Sequence, residues 1–205
     1  MAIVLRCNVF QLAPPEPGIR LPESDIALRF DECKKVMSTM MNGDIELTIA
    51  TGPLRLTIPG YRTPGASDIA ALTRRIAHMP QFVALRGSAG FGPIHVCYID
   101  AFLPDRDQNR GGLSHTQGCT DYPFLFTTEY VHERIGFGGS PRWITLLHEF
   151  GHALLARSHR DHVEVAGNLM CPDERAGPSV TPEQRARMRR TATRIAAGKR
   201  PDPWP

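Results

Sequence analysis

Apolar and polar residues alternate along the chain with periods that change from segment to segment. Ile3-Val4-Leu5 opens a run that reads as a strand over residues 2–11. Pro14 to Pro22 is proline-rich and reads as a connector. Ile26, Leu28, Phe30, Cys33, Val36 and Met37 supply the apolar side of a helix predicted over Ser24 to Met41. Two β-rich runs, Asp44 to Ala50 and Leu54 to Ile58, flank Thr51-Gly52-Pro53 and predict a hairpin. Ser67 to His78 reads as a second helix, Ile94 to Phe102 as a buried strand and Phe124 to Thr128 as another strand. No internal repeat or low-complexity segment interrupts this order.

The densest apolar pattern follows. Ile144, Leu147, Gly151, Leu154 and Leu155 form a stripe at helical spacing, with Trp143, Leu146 and Phe150 beside it. Ser140-Pro141 supplies an N-cap and a proline at the first helical position. A helix apolar over most of its surface is a core helix. Its polar exceptions are His148, Glu149 and His152, which spell H-E-x-x-H. Residues four apart share a helix face, so the two imidazoles can bind one metal ion. Glu149 lies one step round, within reach of a water on that ion. A solvated face carrying His, Glu and His by coincidence is the bland alternative, and the apolar surroundings oppose it.

A catalytic zinc site has three protein ligands and one open position for water. The third ligand has to come from the segment after the helix, which offers His159, Asp161 and His162. His159 is taken as that ligand, with His162 as the alternative and Asp161 behind both; all three side chains are acceptable to zinc. A bound water would have its pKa lowered to about 7. Glu149 would act as general base, taking the proton as the zinc-bound water attacks a peptide carbonyl and passing it to the leaving amine.

With Asn168-Leu169-Met170 added to H-E-F-G-H, the chain resembles the metzincin clan of zinc metallopeptidases, in particular small bacterial, matrixin-like catalytic domains. The clan carries H-E-x-x-H-x-x-G-x-x-H followed by a methionine-bearing turn. The resemblance implies an α+β fold of zincin type: a twisted mixed sheet, an active-site helix, a Met-turn and a C-terminal helix. It makes Met170 the Met-turn methionine, a hydrophobic floor beneath the zinc, where residue type alone suggests an ordinary core methionine. Thr181-Pro182-Glu183-Gln184, with Arg185 and Met188, resembles the start of the closing helix. The region of Gly111-Gly112-Leu113-Ser114 should lead to the edge strand with which a peptide substrate pairs. The chain departs from the clan pattern where Leu155 replaces the glycine and Ser158 stands at the third histidine, which displaces the third ligand. Some relatives also have a tyrosine where this chain has Pro172; Tyr130 and His132 are the remaining candidates to reach an oxyanion.

Length and composition fit one catalytic domain over residues 1–205, with a proline-rich tail from about residue 199. The net charge of +3 is too mild to point to nucleic acid, and the arginines concentrated from Arg185 to Arg194 read as a solvated helix face. No run is long enough to span a membrane. The N-terminal apolar run is interrupted by Arg6, too early for a signal-peptide core, so the expected compartment is the cytoplasm, with non-classical export as the alternative. Five scattered cysteines without a C-x-x-C pair fit reduced thiols, a Cys119–Cys171 disulfide being the alternative. The expected partners are a peptide or protein substrate and a regulatory partner. Asp105-Arg106-Asp107-Gln108-Asn109 offers oxygen ligands at alternate positions, but it lacks the glycine and glutamate of a calcium loop, so Ca2+ ranks far behind Zn2+. His115 could line the cleft.

Two other readings stand beside the peptidase. Gln117-Gly118-Cys119 faintly resembles the cysteine-ligand motif of deformylase-like zinc amide hydrolases. Binding by His159 and His162 together would close the shell and make the protein a non-catalytic zinc-binding effector or binding module. Glu149 opposes the second reading, since a structural site has no use for a base there.

Overall fold

The computed structural model describes residues 1–13, 22–59, 68–80, 82–83, 93–99, 118–121, 123–128, 144–155, 162–171 and 176–199. Several sequence expectations lie outside them: the 14–21 connector, the Asp105–Asn109 oxygen cluster, Gly111 to Ser114, His115, Gln117, Tyr130, His132, Ser140-Pro141, Trp143, Ser158, His159, Asp161, Pro172 and the tail beyond 199.

Among the described residues the strands are β1 (Ile3–Ala13), β2 (Ile45–Thr57), β3 (Ile94–Ile99), β4 (Gly118–Asp121) and β5 (Phe124–Thr128), and the helices are α1 (Glu23–Met40), α2 (Ile69–Ala77), α3 (Ile144–Leu155) and α4 (Pro182–Ala196). The strands form one mixed sheet in the order β2-β1-β3-β5-β4. β2, β1, β3 and β5 run parallel, and β4 pairs antiparallel with β5 at the edge. A parallel strand covered on both faces needs apolar residues at every position. All six residues of Ile94–Ile99 are buried, as the sequence predicts for this segment.

Side-chain alternation sorts the core into two clusters. Leu5, Cys7 and Val9 of β1 join Val96, Tyr98 and Leu125 on the face covered by α1, α3 and α4. Phe10 and Leu12 join Cys97, Ile99, Phe124 and Phe126 on the opposite face, under Ile69, Leu72 and Ile76 of α2. His95 lies on that second face, against the rings of Phe82 and Phe124 at centroid distances of 4.5 and 5.0 Å.

Two local expectations are corrected. Asp44 to Ile58 is not a hairpin: β2 is one strand, parallel to β1 along its length. The Gly-Pro pair is taken up as a bulge, because the register steps from Asn8↔Thr51 to Phe10↔Leu54. Gly52 has φ +103°, and a Cβ there would fall 2.1 Å from the Val9 carbonyl oxygen, so only glycine fits. Leu28 is 56% exposed rather than on the apolar side of α1. The buried set is Ile26, Phe30, Cys33, Met37 and Met40, a stripe spaced four and three apart, and Leu28 lies on the far side of it.

Cys7, Cys33, Cys97 and Cys171 are buried free thiols, so Cys171 is not joined to Cys119. No described helix is long and apolar enough to cross a membrane.

Candidate metal centre

α3 is a core helix, with ten of its 12 residues buried. It packs against β5, β4, α1 and α4. Glu149 is 5% exposed and His152 7%, so the polar residues of the motif sit inside this packing. An ionisable side chain that deep requires compensation by partners or by an ion.

His148, His152 and His162 converge, with one ring nitrogen of each lying within 4.8 Å of the other two. Their ring centroids form a nearly equilateral triangle with sides of 4.7, 5.2 and 5.0 Å. The sequence reading put His159 first and His162 second for the third position. His162 is the residue that completes the described triangle, ten positions beyond His152.

The path of the chain explains why His162 reaches the helix. The N–H of Val163 donates to the carbonyl of Met170 at 3.0 Å, which draws the segment carrying His162 across the turn below α3. That turn, Asn168 to Cys171, is closed by Cys171 N–H donating to the Asn168 carbonyl at 3.1 Å. The Asn168 side-chain oxygen accepts from Met170 N–H at 2.9 Å. Asn168, Leu169 and Met170 are all buried.

Hydrogen bonding fixes the chemistry of one imidazole. His148 Nδ1 lies 2.7 Å from the Leu169 carbonyl oxygen. A carbonyl can only accept, so Nδ1 carries a proton, and in the neutral form of the ring Nε2 would present its lone pair. That Nε2 faces the Nε2 of His162 at 3.1 Å. Two nitrogens bound tetrahedrally to zinc at 2.0–2.1 Å would lie about 3.3 Å apart. The donor set therefore fits a divalent ion such as zinc, held by three neutral imidazoles. Among the described residues no fourth protein ligand joins the group.

Gly151 and Met170 fix the seating of the turn against the helix. A Cβ on Gly151 would meet the Met170 sulfur at 2.5 Å and Leu169 Cδ2 at 3.2 Å. The glycine inside H-E-F-G-H thus leaves room for the Met170 side chain of the turn against α3. The sequence reading assigned no role to this approach, to the Leu169 carbonyl or to Gln184. A T-x-x-Q capping pattern is legible at Thr181–Gln184, whereas a backbone carbonyl leaves no mark in a sequence.

No protein-family description matches the chain, and no curated protein matches it. Among solved structures, the chain is similar to metalloproteinase-II from Bacteroides fragilis, with a TM-score of 0.50 and 15% sequence identity over 89% of this chain and 52% of that one. The chain spans about half the length of that protein. The likeness is one of fold: a mixed α/β architecture shared with a metalloproteinase.

Proposed function

We propose that the protein is a zinc-dependent metallopeptidase of metzincin type that hydrolyses peptide bonds, with His148, His152 and His162 as metal ligands and Glu149 as general base. The observation that carries this reading is the convergence of three imidazoles around a buried helix that also bears Glu149. The similarity in fold to a metalloproteinase supports it.

A zinc ion held there would polarise a scissile carbonyl and acidify a water. The protein's own residues supply the rest. Glu149, one residue from the first ligand and largely shielded from solvent, accepts the proton of the attacking water at its carboxylate and returns it to the departing nitrogen. The Leu169 carbonyl keeps His148 in the tautomer that points Nε2 inward. Met170, buried with its sulfur against Gly151 beside His152, would serve as the Met-turn methionine. Among the described strands β4 is the edge, antiparallel to β5 and packed against α3, and an extended peptide would add there by strand pairing.

The three-histidine set favours this reading over a deformylase-like site, which would need Cys119 as a ligand. Glu149 on the same helix favours it over a closed structural site, which has no use for a base there.

The direct test is Glu149→Gln, assayed on an unstructured fluorogenic peptide alongside zinc content. Retained zinc with turnover reduced by at least the roughly 10²–10⁴-fold that a general base supplies supports the proposal. Unchanged turnover overturns it.

A further inference from the structure

The turn that holds the imidazoles is itself held from outside the centre. Asn168 is 3% exposed, and its side-chain amide is used at both ends. Its Oδ1 accepts from Met170 N–H at 2.9 Å, while its Nδ2 donates to Gln184 Oε1, also at 2.9 Å. Gln184 Nε2 approaches the same Asn168 Oδ1 at 3.4 Å, so the two amides face one another head to head. Gln184 Oε1 also accepts from Thr181 N–H at 2.8 Å, and Thr181 Oγ1 accepts from Gln184 N–H at 3.2 Å. That reciprocal pair is the capping box that starts α4.

Two consecutive carbonyls of the turn point back to the centre. Leu169 C=O accepts from His148 Nδ1, and Met170 C=O accepts from the N–H of Val163, next to His162. Two of the three candidate ligands therefore take their positions from the backbone between Asn168 and Cys171. The turn is also tied by its backbone to the segment after it: Leu169 N–H donates to the Ser179 carbonyl, Gly177 N–H to the Asn168 carbonyl, and Ser179 N–H and Oγ to the Gly167 carbonyl, so the amide pair adds the side-chain link to α4.

We infer that Asn168 and Gln184 are positioning residues for the metal centre: their paired amides lock the Asn168–Cys171 turn to the N-terminus of α4, and so fix the carbonyls that orient His148 and His162. Gln184 thereby has two separable functions, capping a helix and holding Asn168. This inference rests on the metal-binding reading of the three histidines, but not on peptide hydrolysis.

The requirement is for a side-chain acceptor at position 184. Glutamate at position 184 keeps an acceptor for both Thr181 N–H and Asn168 Nδ2 and satisfies the capping box. Alanine removes both. Alanine at position 181 removes the acceptor for Gln184 N–H while leaving the bond from Gln184 to Asn168 in place.

The experiment measures zinc affinity by competition with a chromophoric chelator, well below each variant's Tm, with the visible spectrum of the Co2+-loaded protein as a second readout. Gln184→Ala and Asn168→Ala are expected to weaken zinc binding roughly tenfold or more, the loss typical of outer-shell partners, and to alter the Co2+ spectrum. Gln184→Glu should restore the affinity, and Thr181→Ala should lower Tm while leaving affinity and spectrum unchanged. If Gln184→Ala lowers Tm but binds zinc as tightly as the parent, the pair serves only to cap the helix and the inference falls while the metal centre stands. If the parent protein itself binds no zinc, the metal-binding reading falls and takes this inference with it. Should Asn168→Ala fail to fold, Gln184→Ala against Gln184→Glu carries the comparison alone.

Discussion

The Met170 sulfur fills the space that a Cβ on Gly151 would need, 2.5 Å from where that carbon would stand. A glycine inside a helix costs about 1 kcal/mol relative to alanine. Overpacking a filled core costs about 1–3 kcal/mol. Met170 is fully buried, and Leu169 Cδ2 also lies 3.2 Å from that Cβ, so two buried side chains would have to shift. Gly151→Ala is expected to lose about 1 kcal/mol net in urea denaturation. Met170→Ala should then cost about 1 kcal/mol less in the Gly151→Ala background than in the parent, because the two positions share one space. Equal costs in the two backgrounds would show that the turn moves freely off the helix.

The third ligand is open to direct test. His162→Ala is expected to reduce zinc affinity by more than the roughly 10–100-fold that follows loss of an outer-shell partner. His159→Ala should leave it unchanged. Isothermal titration or chelator competition distinguishes the two, and the opposite pattern would move the ligand to His159.

Zinc should stabilise the folded chain by linkage, since the unfolded chain does not preassemble the three imidazoles. At a free concentration of 100 Kd the gain is about 2.7 kcal/mol. Removing the ion with a chelator should lower Tm accordingly, and His148→Ala, which cannot complete the shell, should show no such difference.

How far the sequence reveals the centre depends on what kind of signal each residue leaves. His148 and His152 are legible because helical spacing alone puts them on one face, and the short motif around Met170 marks the turn that lies against α3. The burial of α3 and β3 follows from their apolar periods. His162 sits in irregular chain, and its place depends on one backbone bond from Val163 to Met170. No periodicity encodes that. Gly52-Pro53 is a strong local turn signal, and parallel pairing along all of β1 overrides it by absorbing the residues in a bulge. β4 has only four residues, too few for an alternating pattern to declare itself in the polar segment around it.

Gly52 gives a test of that strand. With φ at +103° and the Val9 carbonyl 2.1 Å from a Cβ site, Gly52→Ala requires β1 and β2 to part locally. A loss of at least about 2 kcal/mol is expected by thermal or chemical denaturation. A neutral effect would be incompatible with the continuous parallel register.

Stability should also fall at alkaline pH. Burial pushes the thiols of Cys7, Cys33 and Cys97 well above their ordinary range, and the neighbouring Cys7 adds to the shift at Cys33. The folded thiols stay protonated where the unfolded ones ionise. Their contribution is therefore complete below the unfolded thiol pKa of about 8.5 and is lost progressively as pH rises above it toward the folded values. The expected slope is up to about 1.4 kcal/mol per pH unit for each buried thiol. Urea midpoints between pH 7 and 10, under reducing conditions, check the trend, and replacing the three cysteines with alanine should flatten it.

The bonds that build the centre connect residues close in sequence. His148 to Leu169 spans 21 positions, His148 to His162 spans 14 and Asn168 to Gln184 spans 16. Asn8 and His95, in the sheet beneath, are 87 apart. Closing loops of 14–21 residues costs little more entropy than closing shorter ones, since the cost grows only with the logarithm of length. The three histidines, the turn and the cap thus form a near-local cassette within residues 148–184, seated on a sheet assembled from distant parts of the chain. Substitutions in the sheet that keep the apolar seat of α3 should therefore leave the histidine triangle in place.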